Sequence, residues 1–111
     1  MATTKRPGIS AKKGRPRKVR IIRNDPHTRQ FSPRGRRGRP GCRELKFEEL
    51  EAIRLADFMC LNQREAAAFM RVSQQTFSRV LRHGRRCLAE ALIKGEIIKV
   101  QGGDFKLEKV A

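Results

Sequence analysis

The feature that most restricts the fold of this chain is the concentration of positive charge in its first 46 residues. That segment holds 16 Lys and Arg against two acids, a net charge of +14, whereas residues 47–111 hold 11 against nine, a net charge of +2. A segment rich in Arg, Gly and Pro buries too little apolar surface to form a core, and its charges repel one another. We therefore expect a basic, largely disordered arm over residues 1–44 and a single small folded unit after it.

So large a positive charge needs a polyanionic partner, and the composition favours nucleic acid over an acidic membrane surface. Membrane binding normally requires an amphipathic helix with an apolar face, and the arm offers only scattered apolar side chains such as Val19, Ile21, Ile22 and Phe31. The three cysteines form no C-x-x-C pair, which fits a reducing compartment. The sequence shows neither a secretory signal nor an apolar run of transmembrane length. We therefore expect a cytoplasmic, nucleoid-associated protein.

Two helices are predicted in the first half of the folded unit. Apolar residues recur at helical spacing from Lys46 to Met59, with either Ala56 or Phe58 completing the stripe, and acids occupy the first turn, where the helix dipole favours them. Asn62 is followed three positions later by Glu65, which is the spacing of a capping box. A second helix of about two turns should follow.

A third, longer helix is predicted from Ser73 to Lys94. Ser73 is a favourable N-cap, and Val72 and Phe77 are spaced as a hydrophobic staple. Gly95 provides a stop after Lys94. Gly84 falls on the apolar stripe of this helix, and we interpret it as a point where another helix approaches closely.

The last residues predict a β-hairpin tail over residues 96–111. If Gly102-Gly103 forms a two-residue turn, Val100 pairs with Phe105 and Ile98 pairs with Leu107, so both apolar pairs share one face. An isolated hairpin is marginal in water. A short strand near residues 19–22 is a candidate third strand, and the alternative is pairing across a dimer.

The second and third predicted helices have the pattern of a helix-turn-helix. Ala67 supplies the small residue, Val72 closes the turn, and Phe77 and Val80 fix the two helices against each other. An ordinary helical hairpin with a solvated polar face would show similar spacing. The outward side chains are suited to DNA, since Gln can pair with adenine and Arg with guanine. We predict base contacts from Gln74, Gln75 and Arg79, and backbone contacts from Ser73, Thr76, Ser78, Arg82 and Arg71.

These residues resemble a known family. The runs Glu49–Asp57, Gln63–Ala67, Met70–Phe77 and Gly102-Gly103, together with Arg15–Lys18 and Phe31–Pro33, are similar to the small prokaryotic family catalogued as domain of unknown function 134. The resemblance covers residues 14–107. It implies a DNA-binding helix-turn-helix similar to region four of bacterial sigma factors, and it names no operator.

Two positions depart from that family pattern. Cys60 and Arg71 stand where the family commonly has Gly, after the first helix and in the turn. Either residue is therefore expected to adopt a positive φ at a cost of roughly 1 kcal/mol. Arg71 would also place a positive charge beside the recognition helix, where it could contact a phosphate.

The arm contains a short motif of its own. Gly14-Arg15-Pro16, flanked by Arg17 and Lys18, resembles an AT-hook core that lies in a narrow A·T minor groove, and Gly38-Arg39-Pro40 is a weaker second copy. A solvated basic tail would also produce such matches by composition. The predicted arm contacts, to phosphates or to the minor groove, are made by Arg15, Arg17, Lys18, Arg37 and Arg39.

No motif predicts catalysis, a cofactor or a metal site. His83 and Cys87 stand four residues apart on the predicted third helix, but no second pair of ligands is evident, and Cys87 lies on the apolar stripe. We therefore interpret Cys87 as a buried thiol. Neither a nucleophile–base arrangement nor a phosphate-binding loop is recognisable, so the sequence favours a binding protein over an enzyme.

Taken together, these patterns predict a mainly α, three-helix, sigma-region-4-like helix-turn-helix with a small C-terminal hairpin and a basic arm. The expected function is transcription regulation on double-stranded DNA by a homodimer, because one such motif reads only a half-site. Three alternatives stay open. The first is an RNA-binding protein, although the chain has no Tyr or Trp to stack on bases. The second is a nucleoid-type architectural protein without sequence specificity. The third is a sigma-like module that docks on RNA polymerase.

Overall fold

The computed structural model describes residues 19–35 and 38–108, and helices make up 47% of that part of the chain. The predicted mainly α class is thereby confirmed. Within the described ranges the chain forms three helices and five short strands, which are β1 Arg20–Ile22, β2 Gln30–Phe31, β3 Cys42–Leu45, α1 Phe47–Ile53, α2 Gln63–Met70, α3 Gln74–Lys94, β4 Ile97–Val100 and β5 Phe105–Leu107.

Helix α1 continues into a π-helical turn over Arg54–Phe58, so the predicted helix from Lys46 to Met59 is confirmed with an added irregularity. A π turn shifts the side chains that follow it out of α-helical register. Ala56 accordingly packs against the core, while Phe58 is 78% exposed. Of the two residues that the sequence left open, Ala56 completes the buried stripe.

The predicted caps of α2 and α3 are confirmed. Asn62 Oδ1 accepts a hydrogen bond from Glu65 N at 2.8 Å, and Glu65 Oε1 accepts one from Asn62 N at 3.1 Å. Ser73 Oγ accepts from Thr76 N at 3.0 Å at the start of α3. Gly95 ends α3 in the left-handed region with φ 66°. Local side-chain chemistry thus sets where these helices begin and end.

Gly84 lies where α3 crosses α1, as predicted. A Cβ built on Gly84 would lie 3.1 Å from both Glu49 Cβ and Ile53 Cδ1, and 3.2 Å from the Glu49 carbonyl oxygen. Those distances are shorter than ordinary van der Waals contact. The glycine therefore lets the two helix axes approach closely enough to enclose the core between them.

Two adjoining apolar clusters form this core. One joins the helices, and the other packs the second half of α3 against the strands. Ile53 packs against both clusters. The first contains Ala52, Leu55, Ala66, Ala67, Met70, Phe77, Val80 and Leu81, and the second contains Leu45, Cys87, Ala91, Ile98 and Val100.

The predicted C-terminal hairpin is wrong. Strand β4 lies between β2 and β3, antiparallel to β2 and parallel to β3, with Val100 opposite Leu45 and Ile98 opposite both Arg43 and Phe31. Strand β5 instead pairs in parallel with β1, with Leu107 opposite Ile22. Consequently, neither predicted pair, Val100 with Phe105 or Ile98 with Leu107, exists. Ile98 and Val100 are buried against α3 and β3, and this burial outweighs the local turn preference.

The folded unit also starts earlier than the boundary predicted near Leu45. The strand expected near residues 19–22 is β1, and Ile21 and Ile22 within it are 5% and 1% exposed. Strand β2 and all of β3 except Leu45 also fall within residues assigned to the arm. Short strands become stable here because β4 and β5 pair with them and α-helices cover one face. The remaining residues predicted as arm, 1–18 and 36–37, lie outside the described residues.

Candidate nucleic-acid interface

The first turns of α3 border an open polar depression of about 460 Å³. Phe77, Val80 and Leu81 are buried on the opposite face of this helix. Because these three residues fix the rotation of α3 about its axis, its polar residues must face outward. Gln63, at the start of α2, completes the lining, and the full set is Gln63, Gln74, Gln75, Ser78, Arg79 and Arg82.

The three residues predicted to contact bases all line this depression. Gln74, Gln75 and Arg79 are exposed. Their amide and guanidinium groups have donors or acceptors in planar arrays, which match the edges of bases in the major groove. The structure therefore brings the predicted base-contact residues together on one accessible surface.

Four of the five predicted backbone contacts, all on or beside the start of α3, separate into two groups. Ser78 and Arg82 line the depression with the base-contact residues. Ser73 and Thr76 are engaged in the cap, since Ser73 Oγ also donates to Thr76 Oγ1 at 2.9 Å. The hydroxyl groups of Ser73 and Thr76 thus first serve the start of α3 and are less available to a ligand.

Arg71 occupies the turn between α2 and α3. Its backbone is left-handed, with φ 55°, as the departure from the family glycine predicted, and Cys60 has φ 60°. Arg71 Nη2 lies 2.8 Å from Glu108 Oε1. The same carboxylate oxygen lies 3.6 Å from Nη1 of Arg23, so Glu108 ties the turn to the end of β1. A phosphate contact by Arg71 would have to compete with this ion pair.

Charge is distributed unevenly over the described residues. No acid occurs between Glu65 and Glu90, a stretch that contains the turn and most of α3. Arg64, Arg79 and Arg82 form no ion pair with any described residue. Other arginines are held by acids, as in the pairs Arg85–Asp57, Arg54–Glu51 and Arg43–Glu96. The hydrogen bond from Arg85 lowers the pKa of Asp57, which keeps that acid ionised and its partner engaged.

The predicted arm contacts can be placed only in part. Arg39 is exposed just before β3. Arg15, Arg17, Lys18 and Arg37 lie outside the described residues. The nearest described anchor of the arm is β1, and Arg20 in this strand lines the same small pocket as Arg79 of α3. Strand β1, at the start of the described chain, therefore lies near the polar face of α3.

Two residues at this surface were missed by sequence reasoning. Gln63 has the composition of an ordinary helix former, and its position as the first residue of α2 is the only local sign that it lies near the start of α3. Arg20 lines a pocket with Arg79 because β1, which pairs with β5, packs beside the helices. The pairing of strands so distant in sequence has no local signal.

Cys87, four residues after His83 on α3, has a structural position in the core. Cys87 is buried, as predicted, and its Sγ donates to the Glu44 carbonyl oxygen at 3.2 Å. Burial raises the pKa of the Cys87 thiol, which keeps it protonated. Among the described residues, no three His, Cys, Asp or Glu side chains come together as metal ligands. No helix in the same ranges is long and apolar enough to cross a membrane.

Comparison with known proteins places this chain in a family. The model of the family described as "Protein of unknown function DUF134" matches residues 9–108. A protein of Halothermothrix orenii named UPF0251 protein is 45% identical over 98 residues, covering 86% of this chain and 72% of that protein. A UPF0251 protein of Methanococcus maripaludis is 38% identical over 99 residues, covering 88% and 76%. No solved structure gives a significant match. The resemblance noted in the sequence is therefore confirmed, and this chain belongs to the DUF134 family.

Proposed function

We propose that this protein binds double-stranded DNA and regulates transcription. In this proposal α2, the turn at Arg71–Ser73 and α3 act as a helix-turn-helix similar to region four of sigma factors. The observation that carries it is the acid-free polar surface on the first turns of α3, where Gln74, Gln75 and Arg79 are exposed together. Such a surface is what a recognition helix presents to the major groove.

The chemistry of the side chains supports reading of sequence rather than attraction to phosphates alone. Gln74 and Gln75 can each pair with the N6 and N7 atoms of an adenine, and Arg79 with O6 and N7 of a guanine. Arg82 and Arg64 carry positive charge that no described acid neutralises. They are suited to phosphates on either side of the groove, which would position the helix.

The arm supplies most of the affinity in this proposal. Residues 1–18 hold seven Lys and Arg and no acid, and the described chain that follows them begins just before β1, whose Arg20 lines one pocket with Arg79. From that point the arm can follow phosphates or enter the minor groove beside the site occupied by α3. Because a single helix-turn-helix reads only half of a site, we expect the protein to bind as a homodimer.

Selection from a random pool of DNA duplexes with the full-length protein tests the proposal. We expect a consensus of short half-sites. The Gln75→Ala variant should lose discrimination of about 1–3 kcal/mol at particular base pairs and retain the rest of the consensus. Gln101→Ala is a matched control, since Gln101 is exposed and lies outside the depression.

Three results would contradict the proposal. If Gln75→Ala weakened binding equally for every DNA sequence, the assignment of this face as the recognition surface would be wrong. The absence of any consensus would favour an architectural protein. Stronger displacement of labelled duplex by structured RNA than by DNA would favour an RNA-binding protein.

A further inference from the structure

The outer surface of the last two turns of α3 is apolar, although it faces solvent. Leu92 and Ile93 are 75% and 87% exposed, and Ala89 is exposed beside them. At spacings of three and four residues, these side chains share one face of the helix. Cys87 and Ala91 are buried on the opposite face, in the cluster with the strands. The end of α3 is therefore apolar on both sides, which is the pattern of a helix covered on both sides.

A groove of about 170 Å³ adjoins this face, between the end of α3 and strand β2. Most of its lining is apolar, namely Phe31, Pro33, Ala91, Leu92 and Ile98. The polar or small residues that complete the lining are Ser32, Gly95 and Glu96. Strand β2 is at the edge of its three-stranded sheet. An exposed apolar surface beside a sheet edge is typical of a contact with another protein chain.

The same surface contains both a projecting side chain and a recess that can receive it. Ile93 directly follows Leu92, which lines the groove. A cavity of about 150 Å³ accommodates benzene, so this groove has room for the smaller side chain of an isoleucine. A contact about a twofold axis requires a surface that is complementary to itself. Two copies meet this requirement if the Ile93 side chain of each enters the groove of the other.

Charge distinguishes this surface from the polar side of α3. Residues 71–87 hold five Arg and no acid, whereas residues 88–98 hold two acids and one Lys. Both acids, Glu90 and Glu96, accept hydrogen bonds from Arg43, at 3.1 and 2.7 Å. A surface with this charge does not attract a polyanion or an acidic membrane. It does allow two copies of a strongly basic chain to meet without strong repulsion.

The basic arm is the other segment of this chain that can be considered for the groove. Residues 1–18 contain seven Lys and Arg and only two large apolar side chains, Met1 and Ile9. A groove lined mainly by apolar residues offers such a segment little to bind. A second copy instead brings an equal apolar surface. We propose that the end of α3 and the edge strand β2 form the interface of a symmetric dimer.

Such a dimer leaves the candidate DNA-binding surface accessible. The depression on α3 and this groove have no lining residue in common. At 1.5 Å per residue, Gln75 lies about 27 Å from Ile93 along the helix. If the two α3 helices are inclined to each other, their first turns can reach half-sites about 34 Å apart, which is one turn of DNA. This geometric step rests on the proposed function, whereas dimer formation does not.

Sedimentation equilibrium of the full-length protein, freed of nucleic acid, tests the interface over a range of concentrations. Elevated salt screens the repulsion between the basic arms. We expect a dimer whose Kd rises about a hundredfold or more in Ile93→Lys, because a twofold interface loses the burial of this side chain twice. Phe58→Lys is the matched control, since Phe58 is also largely exposed, gains the same charge and lies outside the groove.

Three results would overturn the interface. They are a wild-type monomer at all concentrations, a dimer that Ile93→Lys leaves intact, and a dimer that both substitutions weaken equally. Hydroxyl-radical footprinting provides a second measurement that needs no variant, since Phe31 and Ile93 should become protected as the concentration rises. If both side chains are protected in a monomer, a segment of the same chain covers the groove, and the proposal is wrong.

DNA binding is measured separately with a selected duplex that contains two half-sites. Relative to Phe58→Lys, the Ile93→Lys variant should bind this duplex about a hundredfold more weakly, because its two copies no longer bind as one unit. Its preference within one half-site should be unchanged. If the protein dimerises through this surface and binds no duplex, the proposed function fails and the interface stands. If a monomer binds the duplex with the same affinity as Ile93→Lys, the interface is wrong and the proposed function stands.

Discussion

Two non-glycine residues in the described part of the chain have a left-handed backbone, Cys60 with φ 60° and Arg71 with φ 55°. A side chain in this region costs about 1–2 kcal/mol, because Cβ comes close to the backbone. Arg71 gains an ion pair with Glu108 in return. Cys60 gains little, since its Sγ is 3.9 Å from the carbonyl oxygens of Asp57 and Phe58. The strain at Cys60 is therefore the less compensated of the two.

We accordingly expect Cys60→Gly to stabilise the protein by about 1 kcal/mol, because glycine adopts a positive φ without strain. Urea unfolding of the full chain under reducing conditions measures this difference. Cys60→Ala is the matched control, since it removes the same thiol and keeps the Cβ. An equal gain from both variants would assign the effect to the thiol and contradict the argument from backbone strain.

Glu51 is the buried acid with the most complete set of partners. It is 3% exposed, its two oxygens accept from Arg54 Nε and Nη2 at 2.8 and 2.9 Å, and Oε2 also accepts from the backbone N of Arg23 at 2.8 Å. The hydrogen bond to Glu51 raises the pKa of Arg54, so this guanidinium stays charged. One side chain thus joins α1 to the residue that follows β1.

Removing this carboxylate should be costly. We expect Glu51→Ala to lower the free energy of unfolding by about 3 kcal/mol, because Arg54 and the Arg23 amide lose their partner in a buried setting. Glu90→Ala, whose ion pairs lie nearer the surface, should cost under about 1 kcal/mol. Urea unfolding compares the two variants. Similar losses would show that Glu51 acts as an ordinary surface acid.

At the scale of elements, the helices could be predicted and the strand pairing could not. Asn62, Ser73 and Gly95 act on backbone groups within a few residues, so their effect is visible in a short window of sequence. The pairing of β1 with β5 joins Ile22 to Leu107, and nothing near either residue specifies its partner. The same distinction applies to the site, where α3 was predicted and Gln63 and Arg20 were not.

The Gly102-Gly103 segment illustrates why the hairpin prediction failed. This segment carries the chain across the start of α1, where Phe47 N donates to the Gly102 carbonyl oxygen at 3.2 Å. Gly103 has φ 104°, and a Cβ at this position would overlap Glu48 Oε1. The two glycines therefore allow a close crossing rather than a tight turn between paired strands.

Gly103→Ala should for that reason destabilise the fold by about 3 kcal/mol, through both backbone strain and overlap with Glu48. Gly35→Ala is the control. Gly35 also has a positive φ, of 76°, and its Cβ would meet nothing within 4 Å. Gly35→Ala should therefore be destabilised only by backbone strain, by about 1 kcal/mol. Thermal or urea unfolding measures both, and equal losses would exclude the overlap as a cause.

At the scale of the whole molecule, charge divides the chain into two parts with different roles. All eleven acids lie between Asp25 and Glu108, and many of them pair with arginines within the fold. Residues 1–18 have no acid. Arg79 and Arg82, on the polar side of α3, have no acidic partner among the described residues, and the sequence of residues 1–18 adds seven positive charges and no acid.

This division predicts how affinity for DNA depends on salt. Each phosphate contact contributes about 0.9 to the slope of log K against log salt concentration. The double variant Arg15→Ala with Arg17→Ala should therefore lower the steepness by about 2 and weaken binding to all duplexes alike. Arg29→Ala with Arg85→Ala removes the same net charge, but these side chains are paired with Asp25 and Asp57, so the slope should change little. Titration at several salt concentrations measures the slope for both double variants. Equal changes in slope would mean that affinity follows net charge and that Arg15 and Arg17 make no specific contact with DNA.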